Sequence, residues 1–191
     1  MTAAFAIARQ DGVEAVTLRA VAARAGVSEA APYHHFRDKR MLLAAAAGAG
    51  FEDLDARFVR TLARAPRDPA RRLGALARAY VGFALDEPGA FRLVVGAHVA
   101  ELDLADVPET AIPGRRAKER VRLLVRDFAE SVGAAASAET IFQMVWAQVY
   151  GAASLVIEKE LDPRGAGAPD AKQALARAED AVLRMLASYR T

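Results

Sequence analysis

His34 and His35 stand side by side in the stretch GVSEAAPYHHF, residues 26–36, with Tyr33 before them and Ser28 upstream. Such residues could hold a metal, relay a proton for a serine nucleophile, or donate hydrogen bonds to a large anion. Metal chelation on a helix wants side chains four residues apart, whereas neighbours do not face one another. The positions four away from the pair are Ala30, Ala31, Asp38 and Lys39, and they complete no convincing ligand set. The chain has no cysteine, so thiolate sites and disulfides are out. Ser28 lies too far along the chain to be paired with either imidazole, and no G-x-S-x-G elbow exists. No metal site, no catalytic residue and no cofactor are therefore expected.

Phosphate oxygens suit the same residues. The Tyr33 hydroxyl, the two imidazoles and the Lys39 ammonium are all donors. Helix N-termini add free N–H groups and the positive end of a dipole, and two are expected here, at Thr17–Leu18 and Asp38–Lys39. Ala30 and Ala31 would let a helix sit deep in a groove, with methyls for a thymine methyl. Glu29 could accept from a cytosine amine, or simply support a helix start as a first-turn acid.

The elements that would position these groups are all helical. Glycine and proline cut the chain into stretches with helical periodicity, and none alternates with period two. A first helix is expected from Thr2 to Asp11, stopped by Gly12. Thr17 caps a second over Leu18–Ala25, where Leu18, Val21, Ala22 and Ala25 form one stripe. Gly26 ends it, and Ser28 caps a third over Glu29–His35, which tolerates Pro32 only because it is so short. Asp38 caps a long fourth helix to about Ala65. Two helices of two turns each, joined by a tight glycine turn, cannot stand alone; this is the helix-turn-helix pattern, whose second helix lies in the DNA major groove.

The 27 residues TLRAVAARAGVSEAAPYHHFRDKRMLL resemble the TetR family of transcriptional regulators. That family shows T-hydrophobic-R-x-h-A-x-x-A-G-V-S, then Y-x-H-F, then x-x-K-x-x-L. Here these are Thr17, Arg19, Ala22, Ala25, Gly26, Val27 and Ser28, then Tyr33, His35 and Phe36, then Lys39 and Leu42. The resemblance is dense over residues 3–50 and thereafter rests on helical character and length. It implies DNA-backbone contacts by Thr17, Tyr33, His34, His35 and Lys39. It implies base-facing or groove-facing positions at Arg19, Ser28, Glu29, Ala30 and Ala31, and structural roles for Gly26, Val27 and Phe36. The chain departs from the family at Ala8, where a large aromatic is usual, so a looser small core is expected. It also begins almost at the first helix, where relatives carry several residues, often basic; this leaves an upstream start open.

Net charge is +2 over 191 residues, with 53% hydrophobic and 26% charged, which reads as globular. Residues 1–64 hold nine basic and seven acidic residues and therefore all of the excess, a weak pointer to an anionic partner. No stretch is expected to be long and apolar enough to span a membrane, no signal peptide is evident, and a cytoplasmic location is expected.

Five further helices are expected over Pro69–Asp86, Glu87 to about Val99, Arg115–Ala135, Ala138–Glu160 and Ala171–Tyr189, with a loop at 101–113 and a linker at 162–170. The fold class is thus all-α with about nine helices. A three-helix head, residues 1–47, precedes a ligand-binding and dimerisation domain, residues 48–191. In the last helix Leu175, Ala178, Val182, Leu186 and Tyr189 follow a three/four spacing, as do Ile141, Met144, Gln148, Ala152 and Leu155 in the one before. Together with Gly151 these are the candidate homodimer seam, in keeping with the dimer that the resemblance implies; packing in the subunit's own core is the alternative. WAQVYGAASL resembles the W-x-x-x-H-G motif of one C-terminal subgroup, with Tyr150 in place of the histidine. An effector cavity is expected to be apolar, drawn from Phe58, Phe83, Phe91, Val95, Leu124, Phe128, Phe142 and Trp146, with His98 as a polar group. The expected partners are a palindromic double-stranded DNA operator, a hydrophobic small molecule and a second copy of the chain. An enzyme, or a helical ligand-binding or scaffold protein without DNA activity, are the rival classes; no cluster of titratable groups favours the enzyme.

Overall fold

The computed structural model describes residues 2–96, 114–158 and 170–190. Among them are eight α-helices, two short 3-10 turns and no strand. The helices are α1 (Thr2–Asp11), α2 (Leu18–Ala25), α3 (Lys39–Leu62), α4 (Pro69–Asp86), α5 (Pro88–Val95), α6 (Arg115–Val132), α7 (Ala138–Ile157) and α8 (Ala171–Ala187).

Five of the eight helix starts carry a side-chain cap. The Thr17 hydroxyl accepts from the Ala20 N–H at 3.0 Å and the Asp38 carboxylate from the Met41 N–H at 2.8 Å. Asp68, Ser137 and Asp170 do the same for α4, α7 and α8. These contacts satisfy amides that a first turn leaves without partners. Gly26 ends α2 with φ 67°, a left-handed conformation that glycine adopts without a Cβ penalty, and its N–H donates to the Ala22 and Ala23 carbonyls.

The expected third helix is different. Residues 31–34 form a 3-10 turn, not an α-helix from Glu29, and the Ser28 side chain makes no cap; its carbonyl instead accepts from the Ala31 N–H at 3.0 Å. Pro32 explains this. It has no N–H, and it is buried, so the turn closes through i to i+3 bonds around it. The long helix also stops at Leu62 and α6 at Val132, both short of expectation.

By contacts the chain forms two compact units. One is Met1–Asp53 with Glu87–Arg115, the other Leu54–Asp86 with Arg116–Thr191. These contact units interleave along the chain, whereas the functional division expected from the sequence, residues 1–47 and 48–191, is contiguous. In the first unit, Ala4, Ile7 and Ala8 of α1 pack with Leu18 and Val21 of α2, Leu42, Leu43, Ala46 and Ala47 of α3, and Leu93 of α5. Each fully buried leucine or valine contributes about 1.5–3 kcal/mol. Ala8 does not loosen this core. It lies fully buried where α1 meets α5, and a Cβ on Gly89 would run into its carbonyl oxygen; small residues here allow close backbone approach. Arg9 holds the same junction, its Nε and second guanidinium nitrogen donating to the two carboxylate oxygens of Glu87.

In the second unit α4 is central, packing against α7 and α8. Leu73, Leu76, Ala77, Tyr80, Val81, Phe83 and Ala84 of α4 are buried. A Cβ on Gly74 would lie 3.2 Å from Leu183 Cγ of α8, so that crossing is close. Arg120 of α6 grips Asp55 in the second half of α3 with two bonds, 2.9 and 3.2 Å. Helix α7 corrects the membrane expectation: Thr140 to Ile157 carries no charged residue, and Ala138–Ile157 is long and apolar enough to span by length and composition. Its Ile141, Phe142, Val145, Val149, Ala153 and Val156 are nonetheless buried in the helical core of this unit.

Candidate nucleic-acid interface

In the first unit, the cap at Thr17 and the left-handed Gly26 set α2, and the 3-10 turn then delivers Tyr33, His34 and His35 to the surface. Tyr33 is 61% exposed, a large aromatic that the head does not use as core. His34 and His35 are also exposed, and the His35 ring meets Phe36 edge-on at 6.4 Å. Ser28, Glu29 and Ala30 are exposed and Ala31 is half-buried. Val27, expected as structural, is 48% exposed; its backbone does the structural work, the N–H donating to Ala22 O at 3.1 Å.

The charged members of the set have partners within the head. Arg19 and Glu29 form an ion pair at 3.4 Å with both side chains about four-fifths exposed, 82% and 76%. Lys39 Nζ donates to the Glu14 carbonyl at 3.2 Å and lies 3.9 Å from its carboxylate. Exposed pairs of this kind contribute about 0–1 kcal/mol, so both cations can be recruited by a stronger anion. Arg37 and Arg40 are exposed on either side of Asp38 and Lys39. They received no role from the sequence, although the run R-D-K-R at a helix start was the available signal.

The second unit holds a small apolar cavity of about 20 Å³, lined by Phe58 of α3, Leu73, Leu76, Ala77 and Tyr80 of α4, Val121 of α6, and Val145, Trp146 and Val149 of α7. That is room for about one water. Of the expected lining residues it gathers Phe58 and Trp146. Phe83, Leu124, Phe128 and Phe142 are buried in this unit without lining it, while Phe91 and Val95 belong to the first unit. His98 lies outside the described residues. The cavity's one titratable lining residue is Tyr80, whose phenol pKa is pushed well above the ordinary value by burial, with Tyr150 adding to it. Trp146 stacks on Phe142 at 6.2 Å and meets Tyr80 edge-on at 5.7 Å. Lys118 sits over its ring at 5.6 Å, its own pKa lowered by burial and by Arg122.

The candidate dimer residues divide in two. Ala178, Val182 and Leu186 of α8, like Ile141 of α7, are buried in the chain's own core and leave nothing for a partner to touch. Met144 and Leu155 of α7 are exposed at 49% and 39%, with Tyr150 beside them at 41%. Gln148, Gly151, Ala152, Leu175 and Tyr189 are half-buried.

Among the described residues no group of histidine and acidic side chains could hold a metal. Residues 1–46 match the family model of bacterial regulatory proteins of the tetR family, and residues 73–182 match that of the tetracyclin repressor-like C-terminal domain. No curated protein matches the chain. Among solved structures, a protein of unknown function from Rhodococcus sp. RHA1 is 30% identical over 96% of this chain and 91% of its own, with a TM-score of 0.73. A TetR variant from Acinetobacter baumannii AYE in complex with minocycline is 20% identical, covering 100% and 95%, with a TM-score of 0.65. The TetR-family regulator PfmR from Thermus thermophilus is 20% identical, covering 95% of each chain, with a TM-score of 0.63. The last two show the fold. With the head matched by one model and more than half of the chain matched by the other, the chain belongs to the TetR family of bacterial transcriptional regulators, which bind DNA.

Proposed function

We propose that the protein is a dimeric repressor that binds a palindromic operator through residues 1–47 and is released by a hydrophobic small molecule bound within residues 48–191. The observation that carries the DNA reading is the exposed set on the head. Tyr33, His34 and His35 leave the 3-10 turn beside two capped helix starts, with Arg19 and Lys39 held only by weak pairs. In this reading Thr17, Tyr33, His34, His35 and Lys39 position the phosphate backbone, and Arg19, Ser28, Glu29, Ala30 and Ala31 face the groove. Selection of bound fragments from the source genome, followed by retardation at increasing salt, tests it. Affinity should fall steeply with salt as counterions are released; a purified protein that retards no fragment would instead be a ligand-binding or scaffold protein.

The effector reading rests on the apolar lining around Phe58 and Trp146 and on the minocycline bound by a structural neighbour. A ligand of ordinary size needs the cavity to open from its present 20 Å³. Helix α3 has 24 residues, about 36 Å at 1.5 Å per residue. Its first residue is Lys39 and its last turns carry Phe58, so displacement of Phe58 acts on the helix that presents Lys39. By linkage, ligand and DNA then weaken each other equally, about 5- to 150-fold for a coupling of ~1–3 kcal/mol. Equal ligand affinity with and without operator would remove this switch. For the dimer we favour a seam on the stripe of α7 formed by exposed Met144 and Leu155 with half-buried Gln148, Gly151 and Ala152, flanked by Leu175 and Tyr189. Membership of the W-x-x-x-H-G subgroup would rest on Trp146 and Gly151 alone, since Tyr150 replaces the histidine.

A further inference from the structure

The second unit carries a cleft of about 600 Å³ between the end of α3, the middle of α4 and the start of α8, apart from the small cavity. That volume lies in the range of about 300–1,000 Å³ typical of small-molecule sites. Four arginines line it: Arg57, Arg60 and Arg64 from α3 and the turn after it, and Arg78 from α4. Two are committed. Arg57 donates to Asp86 at 2.8 Å with its guanidinium 5.3 Å from the Phe83 ring centre, and Arg78 pairs with Glu179 at 3.6 Å.

Arg60 and Arg64 are not committed. One near the end of α3 and the other in the turn after it, they line the same cleft and are exposed. Among the described residues neither has an ion-pair partner, and the two acids in the lining, Asp86 and Glu179, are held by Arg57 and Arg78. Their neighbourhood offers no relief: residues 57–78 hold seven arginines and one acid, Asp68, and that carboxylate caps α4. Between the two lies Thr61, also in the lining, with a hydroxyl donor. Arginine without lysine suits oxyanions, because the planar guanidinium presents paired N–H donors that match a phosphate in bidentate fashion. Ala75, Ala79, Gly82 and Leu175 complete an apolar floor.

We propose that this cleft binds a diphosphate, its oxygens held by Arg60, Arg64 and the Thr61 hydroxyl, while Arg57 and Arg78, fixed by their own carboxylates, form the walls. The oxyanion could come from inorganic diphosphate or from an organic diphosphate whose remaining part lies on the apolar floor. The test is calorimetric titration of the full chain with pyrophosphate and with adenosine diphosphate at matched ionic strength. It is repeated for Arg60→Gln/Arg64→Gln and for Arg116→Gln, an exposed arginine of α6 outside the cleft. Saturable binding is expected, one site per chain, weakened about tenfold or more by the double variant and unchanged by Arg116→Gln. Tighter binding of adenosine diphosphate than of pyrophosphate identifies the organic source, and equal binding the inorganic one. Absence of saturable binding at millimolar ligand, or equal affinity in the double variant, overturns the proposal. So does a double variant that loses DNA affinity while the wild type takes up no pyrophosphate, since the arginines then serve nucleic acid.

Discussion

Replacing Gly89 by alanine should destabilise the head, although the same change usually strengthens a helix. In an open helical position alanine is better than glycine by about 1 kcal/mol. Gly89 is not open. An added Cβ would collide with the Ala8 carbonyl oxygen and lie 3.1 Å from both the Ala8 carbonyl carbon and the Arg9 carbonyl oxygen. All three are backbone atoms, which no side-chain rotation can move aside. Comfortable carbon contacts need about 3.5–4.0 Å, so α1 and α5 must part by roughly an ångström. Overpacking of this kind costs about 1–3 kcal/mol, occasionally more. Parting the helices also strains the Arg9–Glu87 fork and unseats Leu93, which is fully buried in the head core and contributes up to about 3 kcal/mol. After subtracting the helix gain, a net loss of about 1–3 kcal/mol remains. At about 2–4 °C per kcal/mol for a chain of this size, the thermal midpoint should fall by roughly 2–12 °C. Calorimetry at fixed protein concentration measures it. Gly48→Ala in α3 is the internal control: nothing lies within 4 Å of its added Cβ, so its midpoint should rise. A Gly89→Ala midpoint equal to or above wild type would refute the close packing of α1 on α5.

Lys39→Ala should weaken binding to all DNA sequences alike and lower the salt slope by about one, as loss of a single phosphate contact does; retardation across a salt series reads both. Arg19→Ala should shift preference among operator variants by about 1–3 kcal/mol; equal weakening of every variant would make Arg19 a backbone contact. Tyr80→Phe tests the buried phenol through alkaline stability. Its pKa is raised by burial from 10.0, so the unfolded chain releases the proton first. The stability this provides is full below pH 10 and is lost as pH climbs towards the folded value. In denaturant melts above pH 10 the phenylalanine variant should therefore lose less stability than wild type.

Much of the helical framework was legible because its signals are local. Thr17, Asp38, Ser137 and Asp170 announce helix starts through their own side chains, and Gly26 announces a left-handed stop through its lack of one. The α2 stripe was read correctly at Leu18, Val21 and Ala22, but Ala25 is exposed, because the turn at Gly26 leaves no neighbour over it. What failed depends on distant packing. A three/four stripe says that a helix meets something, not what it meets, so Val182 and Leu186 read as a partner's seam and prove to be the chain's own core. The join of α5 to α1, some 80 residues away in sequence, follows from Gly89 and Ala8 being small together, which neither shows alone. The cavity lining was missed at Leu73, Leu76 and Ala77 because aliphatic residues on α4 look the same whether they fill space or border it.

The Arg19–Glu29 pair bears on how an operator for this protein would be written. With one side chain from α2 and the other from the turn that follows, 3.4 Å apart, a base contact by either competes with the pair. In the proposed reading, an operator offering a guanine to Arg19 frees Glu29 to seek a cytosine amine nearby. One lacking the guanine lets Arg19 fall back on Glu29 and withdraws both from the groove. Penalties at those two base positions should then fail to add, and a double change in the operator should cost less than the sum of the single changes. Natural binding sites would show the two positions varying together, a grammar of paired letters in place of independent ones.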